Sequence, residues 1–462
     1  MKVALVYPEK KTILSGCNPP YSLMSLGTML AQSGIDVKLF DIDAYAKEEF
    51  FLRELKSYGP DITGLPVYFS SFNLIDRFLK QLKGNDLGGT IVLGGPEVSA
   101  DPDNVLNNFP DIQFAIIGEA DRSLLQFVTN YSTSRDIYAT PGLVYRNGKQ
   151  VVVNQHQLIE DLNPLPIPDR ALLMENYKKG IYWRLGCRGS TDIIVSSRGC
   201  PYHCKFCFKV SSRARYRSAK SVHKEIEQIL SMGIKNIHFM DDLLVVNMKR
   251  VKEIFDPIDP KLGIRFKVRA RVNAINDEIV EYLAQKGVRE IVCGYESGSD
   301  KMLSLMNKKA TVQQNYKAIR TIKKYGIKAF ADIFFMYPGE DFDTATQTIN
   351  FIKETKPTYV NWSFFIPFTN TPITRELEAK GLLEGKYSVK QYPRVVYNYL
   401  KNGEYEKLTS YILRQMNRYN RSILAVILPN LISVLLSSGF KQYKIIFRKY
   451  CTFIYSKIFS GS

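Results

Sequence analysis

The sequence contains few histidines and no apolar segment long enough to span a membrane. Its four histidines are His156, His203, His223 and His238, so residues 1–155 contain none. An apolar run at residues 423–436 is interrupted by Pro429 and is shorter than the ~20 residues that a transmembrane helix needs. Residues 1–8 resemble a first strand and lack the apolar core of a signal peptide, so we expect a cytoplasmic protein.

Charge is distributed unevenly along the chain. Residues 1–160 hold 14 basic and 18 acidic residues, residues 161–384 hold 36 and 25, and residues 385–462 hold 13 and 2. An acidic amino-terminal region does not suit nucleic-acid binding, so nucleic acid is not an expected partner. The basic excess at the carboxyl end requires an explanation of its own.

The first 140 residues alternate short Val-, Ile- and Leu-rich runs with amphipathic segments. The predicted strands are Val3–Tyr7, Val37–Asp41, Ile62–Val67, Thr90–Gly94 and Phe114–Ile117. This alternation predicts βαβ units, a parallel sheet and therefore a Rossmann-like α/β domain over residues 1–140. A hairpin at residues 142–154 and a proline-rich linker at residues 163–168 are predicted within residues 141–185, where we place the domain boundary.

A second α/β series follows over residues 186–384. The predicted strands are Ile193–Ser196, Asn236–Met240, Arg265–Val268, Glu290–Cys293, Ala329–Phe335 and Tyr359–Phe365. Six βα units are too few for a closed eightfold barrel, so we predict a partial (βα)6 barrel with its site at the carboxyl ends of the strands. Residues 385–462 are predicted to form a basic helical extension.

Three of the seven cysteines, Cys200, Cys204 and Cys207, lie within eight positions, directly after a predicted strand. Cysteines this close make a poor disulfide framework, and thiolates in one short loop suit a metal site in a reducing compartment. Iron–sulfur clusters usually take four cysteines, so three would leave one iron open for chemistry. Zinc is an alternative, although the second cysteine pair that zinc sites usually have is missing, and three unrelated core cysteines are another.

The spacing Cys-x3-Cys-x2-Cys, with the aromatic Phe206 before its last cysteine, resembles the radical S-adenosylmethionine superfamily. The resemblance implies a [4Fe–4S] cluster held by Cys200, Cys204 and Cys207. Its open iron would chelate S-adenosylmethionine, and an external electron donor would drive cleavage to methionine and a 5′-deoxyadenosyl radical. Phe206 is then expected beside the cofactor.

Further positions at strand ends match that resemblance. The family places a group for the methionyl amine where Asp241 and Asp242 stand, and a ribose-binding carboxylate where Glu296 stands. Arg271, or Arg269 on the same predicted strand, would meet the cofactor carboxylate. Helix capping by the aspartates and a structural ion pair for the arginines are the alternatives.

The front domain resembles the cobalamin-binding domain of a large subgroup of these enzymes. The matching stretches are residues 18–27, 92–97 and 116–120. Gly94 and Gly95 would let a large ligand approach the backbone, and Ser70 or Ser71 would bond its nucleotide tail. Because residues 1–155 lack histidine, this domain would supply no histidine to the lower face of cobalt. A vestigial domain that binds nothing is the alternative.

The leading hypothesis is therefore a cobalamin-dependent radical enzyme that methylates an unreactive carbon of a small-molecule or lipid substrate. Radical cyclisation or rearrangement, RNA methylthiolation, and a non-catalytic cobalamin or cluster carrier are alternatives. Cys17 is the one cysteine in the front domain, which disfavours methylthiolation because that chemistry uses a second cluster there. The aromatic residues Tyr295, Phe335 and Trp362 suggest an apolar substrate pocket, although core packing explains them equally well.

Two hypotheses account for the basic carboxyl-terminal region. It closes over the barrel and shapes the substrate pocket, or its amphipathic end lies on the inner face of the membrane as a peripheral contact. The two are compatible.

Overall fold

A computed structural model describes residues 1–8, 17–184, 187, 189–401 and 403–419 of the protein. The strands of the first half are β1 (Lys2–Tyr7), β2 (Asp36–Asp41), β3 (Ile62–Pro66), β4 (Thr90–Gly94), β5 (Phe114–Ile116), β6 (Leu143–Asn147) and β7 (Gln150–Val153). Its helices are α1 (Tyr21–Gln32), α2 (Glu48–Tyr58), α3 (Phe72–Gly84), α4 (Pro96–Ala100), α5 (Pro102–Asn108) and α6 (Ala120–Ser132).

These seven strands form one sheet in the order β2-β1-β3-β4-β5-β6-β7. The first five are parallel, as predicted, and their apolar side chains are buried under helices on both faces. The hairpin β6–β7 turns at Asn147 and Gly148, whose φ of +60° suits glycine. The hairpin prediction is thus confirmed, but β6 pairs with β5 and extends this sheet, so the hairpin belongs to the first domain and not to the linker.

The second half begins with α7 (Met174–Lys178) and carries the other sheet. Its strands are β8 (Thr191–Ile194), β9 (Ser197–Arg198), β10 (Arg215–Tyr216), β11 (Asn236–Phe239), β12 (Arg265–Ala270), β13 (Val288–Glu296), β14 (Lys328–Phe335), β15 (Tyr359–Phe364), β16 (Leu383–Glu384) and β17 (Arg394–Val395). Its further helices are α8 (Ala219–Ser231), α9 (Met248–Phe255), α10 (Asp277–Gln285), α11 (Asp300–Leu305), α12 (Val312–Lys324), α13 (Phe342–Thr355) and α14 (Pro372–Ala379).

The strands β8, β11, β12, β13, β14 and β15 lie in sequence order in one parallel sheet, which confirms the partial (βα)6 barrel. Side chains alternate between the concave face and the helices, as a two-residue period requires. Tyr295, Phe335 and Trp362 all point towards the helices: Tyr295 and Phe335 are fully buried in the core, and Trp362 packs at 6.1 Å on Phe335. The suggestion that these three line a substrate pocket is therefore wrong, and core packing explains them.

Arg170 joins the linker to the barrel through a buried ion-pair network. Its guanidinium lies 3.1 Å from Asp192 on β8 and 2.7 Å from Glu225 on α8, and these three side chains are almost fully buried. It also donates to the carbonyls of Pro168 and Ile193. Buried charges with complete partners fix geometry, so the linker enters the barrel at one defined position.

The carboxyl-terminal region is helical at residues 404–419, but residues 385–401 are not, which corrects the prediction of a helix from residue 385 onwards. We call residues 385–401 the C-terminal strap. Two residues oppose a helix here: Gly385 has a φ of +76°, and Pro393 has no backbone N–H to donate to a helix hydrogen bond. The strands β16 and β17 pair with each other as a two-residue ladder. The strap is held to the first domain by Asn104, which donates to the carbonyl of Tyr387 at 2.8 Å.

Within the described part of the chain, no helix combines the length and apolar character needed to cross a bilayer. The apolar run at 423–436 and the amphipathic segment after it lie outside the described residues.

Candidate active site

The three cysteines lie on one loop, residues 199–214, closed at its base by the two-residue ladder of β9 and β10. The loop is folded on itself: the Cys200 amide donates to Ser211, and the Lys209 ammonium donates to the carbonyl of Cys200 at 2.9 Å. Gly199 has a φ of +84°, and a Cβ there would lie 2.4 Å from the carbonyl oxygen of Arg213. The ladder and this glycine together hold the loop at the carboxyl end of β8.

Cys207 lies close enough to the other two thiols and to Asp242 for them to influence its pKa. Cys200 and Cys204 are half-buried, and Cys207 is exposed on the wall of a half-closed cavity. Desolvation there, together with Cys204, Asp242 and Cys200, raises the pKa of the Cys207 thiol to about 11. A cationic group would reverse that shift, because it favours thiolates. Among the described residues no three His, Cys, Asp or Glu side chains already form a metal site, so cluster ligation by these cysteines stays a prediction.

The two aspartates after β11 have different environments. Asp241 is fully buried and accepts hydrogen bonds from the hydroxyls of Ser196 at 2.8 Å and Ser197 at 2.5 Å, so it fixes the strand that leads into the cysteine loop. Burial raises its pKa. Asp242 is exposed and close enough to influence Cys207. Helix capping explains neither, because α9 is capped by Asn247. Contact of Asp242 with a ligand stays a prediction.

Glu296 ends β13 in a left-handed conformation, with a φ of +60°, and is buried. Its Oε1 lies 2.6 Å from Nζ of Lys308, which is also buried. Burial raises the pKa of Glu296, while Lys308 opposes that change. Gly294 leaves room for this pair, since a Cβ there would stand 2.1 Å from Oε1 and 2.9 Å from Nζ. The predicted carboxylate is therefore in the site, held by a cation that the sequence did not reveal.

Arg271 and Arg269 separate at the end of β12. Arg271 is buried beside the cysteine loop: its guanidinium stacks 3.6 Å from the Tyr202 ring, lies 3.5 Å from Cys204 Sγ and donates to the carbonyl of Lys308. Arg269 reaches across the concave face to Asp332 at 3.4 Å. The structure thus brings Arg271, and not Arg269, to the cysteines.

Phe206 anchors the loop on the barrel. Its ring is mostly buried, meets Phe334 edge-on at 5.0 Å and belongs to an apolar cluster with Met302, Met306 and Tyr337. Part of it faces the same cavity as Cys207. The residue therefore both positions the cysteines and borders the space next to them.

That space is a cavity of about 480 Å³ between the two domains. The first domain contributes Tyr68, Phe69 and Glu97 to its wall, and the barrel contributes Cys207, Glu296 and Asp332. The carboxyl ends of both sheets therefore meet at one enclosure, which is where open α/β sheets bind ligands.

The small residues of the first domain that are predicted to contact a ligand lie close to this cavity, but they have local structural roles as well. Gly95 has a φ of +95°, and a Cβ there would come within 2.9 Å of the Val67 carbonyl oxygen, so packing between the loops after β3 and β4 already requires glycine. A Cβ at Gly94 would make only an ordinary contact. Ser71 is buried and bonds Tyr68 in its own turn, whereas Ser70 is exposed. Ligand contacts by Gly94, Gly95 and Ser70 stay predictions.

Glu97 is a cavity residue that the sequence analysis missed. It is 4% exposed, and its Oε1 accepts a 2.5 Å hydrogen bond from Thr369, on the loop after β15. Burial raises its pKa to about 7. The signal in the sequence was a carboxylate directly after Gly94, Gly95 and Pro96, at the carboxyl end of a parallel strand.

Four further residues, also missed, join the domains at the cysteine loop. Arg198 and Arg215 are register partners in the β9–β10 ladder. Arg198 pairs with Asp121 at 2.8 and 3.1 Å, and Arg215 pairs with Glu119 at 2.5 and 2.9 Å. Burial opposes ionisation of Asp121, but Arg198 holds its pKa below the usual range, and Arg215 does the same for Glu119. Both acids come from the loop and first turn after β5, so the first domain is docked on the base of the cysteine loop.

Two protein families match the chain, one on each half. The B12 binding domain family matches residues 14–128, and the Radical SAM superfamily matches residues 194–352. These ranges cover the first sheet and the partial barrel with its cysteine loop. The chain therefore combines a B12-binding domain with a radical S-adenosylmethionine domain.

Curated relatives extend over both halves. An uncharacterized methyltransferase of Pyrococcus horikoshii is 29% identical over 398 residues, which is 83% of this chain and 84% of that protein. An anaerobic magnesium-protoporphyrin IX monomethyl ester cyclase of Cereibacter sphaeroides is 27% identical over 82% of this chain and 64% of its own length.

Two solved structures share the fold. The radical S-adenosylmethionine methyltransferase TsrM from Kitasatospora setae, with cobalamin and a [4Fe-4S] cluster bound, superposes with a TM-score of 0.68 at 20% identity, over 83% of this chain and 76% of that one. The cobalamin-dependent enzyme OxsB, with aqua-cobalamin and S-adenosylmethionine bound, gives 0.72 at 19% identity, over 96% and 74%. Both have the arrangement of two domains described above.

The buried pair Arg215–Glu119 should couple strongly in a double-mutant cycle. We expect Arg215→Ala and Glu119→Ala to show a coupling of about 2 to 4 kcal/mol in the free energy of unfolding, because each removes the nearest opposite charge from a buried side chain. The exposed pair Lys83–Asp111, at 2.7 Å, is the matched control and should couple by less than about 1 kcal/mol. A coupling no larger than that of the control, measured by urea denaturation, contradicts the role given to the pair.

Glu97 should make stability depend on pH. Its folded pKa of about 7 exceeds the ordinary 4.5, so the stability it contributes at low pH is lost as pH rises through about 7. Glu97→Gln should therefore stabilise the protein by about 2 kcal/mol more at about pH 8 than at about pH 5.5. Glu49→Gln, on an exposed helix face, should show no such difference. An equal effect of Glu97→Gln at both pH values in urea unfolding would refute the assignment.

Proposed function

We propose that this chain, which belongs to the radical S-adenosylmethionine enzymes that carry a B12-binding domain, transfers a methyl group to an unactivated carbon of a small-molecule or lipid substrate. The observation that carries the proposal is the cavity of about 480 Å³, which is bordered by the cysteine loop on one side and by the loops after β3 and β4 on the other. One enclosure shared by both domains suits a reaction that uses both cofactors. The Pyrococcus relative named as a methyltransferase and the shared fold with TsrM support the same activity.

The residues present fit the cofactors. Cys200, Cys204 and Cys207 offer three thiolates on one loop, the donor set for a cluster with one open iron. When bound, the cluster supplies the electron that cleaves S-adenosylmethionine, and cobalamin supplies the methyl group. Because no histidine lies in residues 1–155, the first domain offers no imidazole to cobalt.

Three side chains would bind S-adenosylmethionine. We assign its ammonium group to Asp242, which is exposed and influences Cys207, and its carboxylate to Arg271, which lies 3.5 Å from Cys204 Sγ. Glu296 would accept the ribose hydroxyls through Oε2, since Oε1 is held by Lys308. Phe206 and its apolar neighbours pack against the barrel and limit the access of water to the cysteine loop from that side, which would protect reactive species from side reactions.

Radical cyclisation is the second candidate, because the Cereibacter cyclase is nearly as similar over the same share of this chain. The two reactions differ in how S-adenosylmethionine is consumed. Methylation uses one molecule as radical source and one as methyl donor, whereas cyclisation needs only the first use. Product ratios therefore separate the candidates.

Anaerobic reconstitution with iron, sulfide, cobalamin and S-adenosylmethionine, followed by reduction and mass spectrometry, tests the proposal. We expect 5′-deoxyadenosine from the wild type and none from Cys200→Ala, Cys204→Ala or Cys207→Ala. Cys293→Ala is the control, because Cys293 is buried on the helix side of β13. Equal amounts of 5′-deoxyadenosine and S-adenosylhomocysteine in the presence of substrate indicate methylation, and 5′-deoxyadenosine alone indicates the second candidate. Cluster-loaded protein that makes no 5′-deoxyadenosine indicates a carrier and contradicts both.

An external electron donor and a membrane surface are the further partners that we propose. The 13 basic and two acidic residues after position 384 favour attraction to anionic lipid at the inner face of the membrane. Deletion of residues 421–462 should strongly reduce co-sedimentation with anionic vesicles, and the wild type should bind neutral vesicles less than anionic ones. Binding of the wild type should also fall as salt rises, since the attraction is screened. Unchanged binding of the deletion variant to anionic vesicles rejects the membrane contact.

A further inference from the structure

A second cleft, of about 390 Å³, lies beside the interdomain cavity. The C-terminal strap, the loop after β15 and the loop after β3 form its walls. Its volume is within the range of small-molecule sites. Ser70, which is predicted to bond the nucleotide tail of cobalamin, also lies on its wall. The two spaces share Phe69, and the loop that runs from Phe365 to Thr369 separates them. A ligand in the cleft is therefore one loop away from the cysteines.

Most of the cleft is aromatic or aliphatic. Phe365, Tyr397 and Tyr405 form its inner wall, where the rings of Tyr397 and Tyr405 lie 5.2 Å apart. Ile366 and Tyr392 line it too, although they are 39% and 49% exposed to solvent. Large apolar side chains that remain exposed around a concave space indicate a binding surface. An apolar chain or ring system suits this wall.

One cation stands among these side chains. Arg394 is the only charged residue among the described residues that line the cleft, and it forms no ion pair within 4.0 Å with any described residue. Glu384 is its register partner, directly opposite in the β16–β17 ladder, but the two side chains do not come within 4.0 Å of each other. An unpaired guanidinium at the mouth of an apolar cleft matches a carboxylate or phosphate.

We propose that the cleft binds the substrate of this enzyme, and that this substrate is an anionic amphiphile: an apolar chain or ring system with one phosphate or carboxylate, which Arg394 holds. The inference rests on the proposed function and narrows its substrate class. The apolar body extends from Arg394 along the strap towards the loop that borders the interdomain cavity.

The nucleotide tail of cobalamin shares this chemistry, since it combines an aromatic base with a phosphate. Competition between cobalamin and the probe shows whether the cleft binds a substrate or this nucleotide tail. If the cleft serves a substrate, saturating cobalamin leaves probe binding intact, whereas displacement of the probe by cobalamin assigns the cleft to the tail and overturns the proposal.

Calorimetric titration of the full chain, free of cofactors, with dodecyl phosphate below its micelle concentration tests the proposal. Arg394→Gln should weaken binding about tenfold, the effect of losing one charge-assisted hydrogen bond. Lys390→Gln is the matched control, since Lys390 is an exposed cation of the same strap outside the cleft, and it should bind as the wild type does. The neutral dodecyl maltoside should bind the wild type and Arg394→Gln equally. Tyr392→Ser should weaken both probes several-fold, because it removes an exposed aromatic from the cleft.

Equal affinities of Arg394→Gln and Lys390→Gln for dodecyl phosphate overturn the inference. All variants keep residues 421–462, so binding of the probe by the basic carboxyl-terminal segment affects them alike. The titration needs neither cluster nor S-adenosylmethionine, so its failure leaves the proposed radical chemistry standing. Conversely, an absence of 5′-deoxyadenosine in the reconstituted enzyme would leave this binding result unchanged.

Discussion

The arrangement of the site depends on two arginines that face each other. Arg198 and Arg215 are register partners in the short ladder at the base of the cysteine loop, where like charges directly opposite repel. Glu119 and Asp121, both supplied by the first domain, neutralise them through two bidentate, largely buried ion pairs. Without that domain the ladder would carry two uncompensated guanidinium groups. Docking of the first domain therefore stabilises the base of the cysteine loop.

The same docking creates the interdomain cavity. Glu97 lies in the cavity wall with Thr369 across the domain boundary as its partner, and burial raises its pKa to about 7. Glu296 lies in the same wall, paired with Lys308. A partly dry space with few, fixed polar groups is what positions reactive ligands, because the polar groups are already oriented when the ligand enters. The chain forms this space by bringing together the carboxyl ends of two sheets, each of which has its own apolar pattern in the sequence.

Local patterns were sufficient to predict both sheets, because buried parallel strands are apolar throughout and α/β units alternate along the chain. The predicted Asp242, Glu296 and Arg271 follow strands, so the topology alone brought them near the cysteines. Glu97 and the Glu119–Arg215 pair escape prediction because their partners are distant in sequence. Lys308 lies only 12 residues from Glu296, but no spacing pattern marks a lysine in a loop as the partner of a strand-end carboxylate. The aromatic residue Tyr295 was suggested as pocket lining because a strand pattern fixes which residues share a face, but not which face is concave. The strap did carry local signals against a helix, Gly385 and Pro393, whereas its contacts with the first domain leave no trace in the sequence.

The strap adds a second attachment between the domains, on the side away from the arginines. Asn104 and Asn108 of α5 bond its backbone, and the hydroxyl of Tyr387 donates to the carbonyl of Pro367 on the barrel. Together with the Glu97–Thr369 contact, these separated attachments restrict pivoting of the first domain over the barrel mouth. Reactions between bound groups depend steeply on their separation and alignment. The fold therefore fixes the geometry between its two ligand-binding edges at both ends of the cavity, and the strap that does so also forms the wall of the neighbouring cleft.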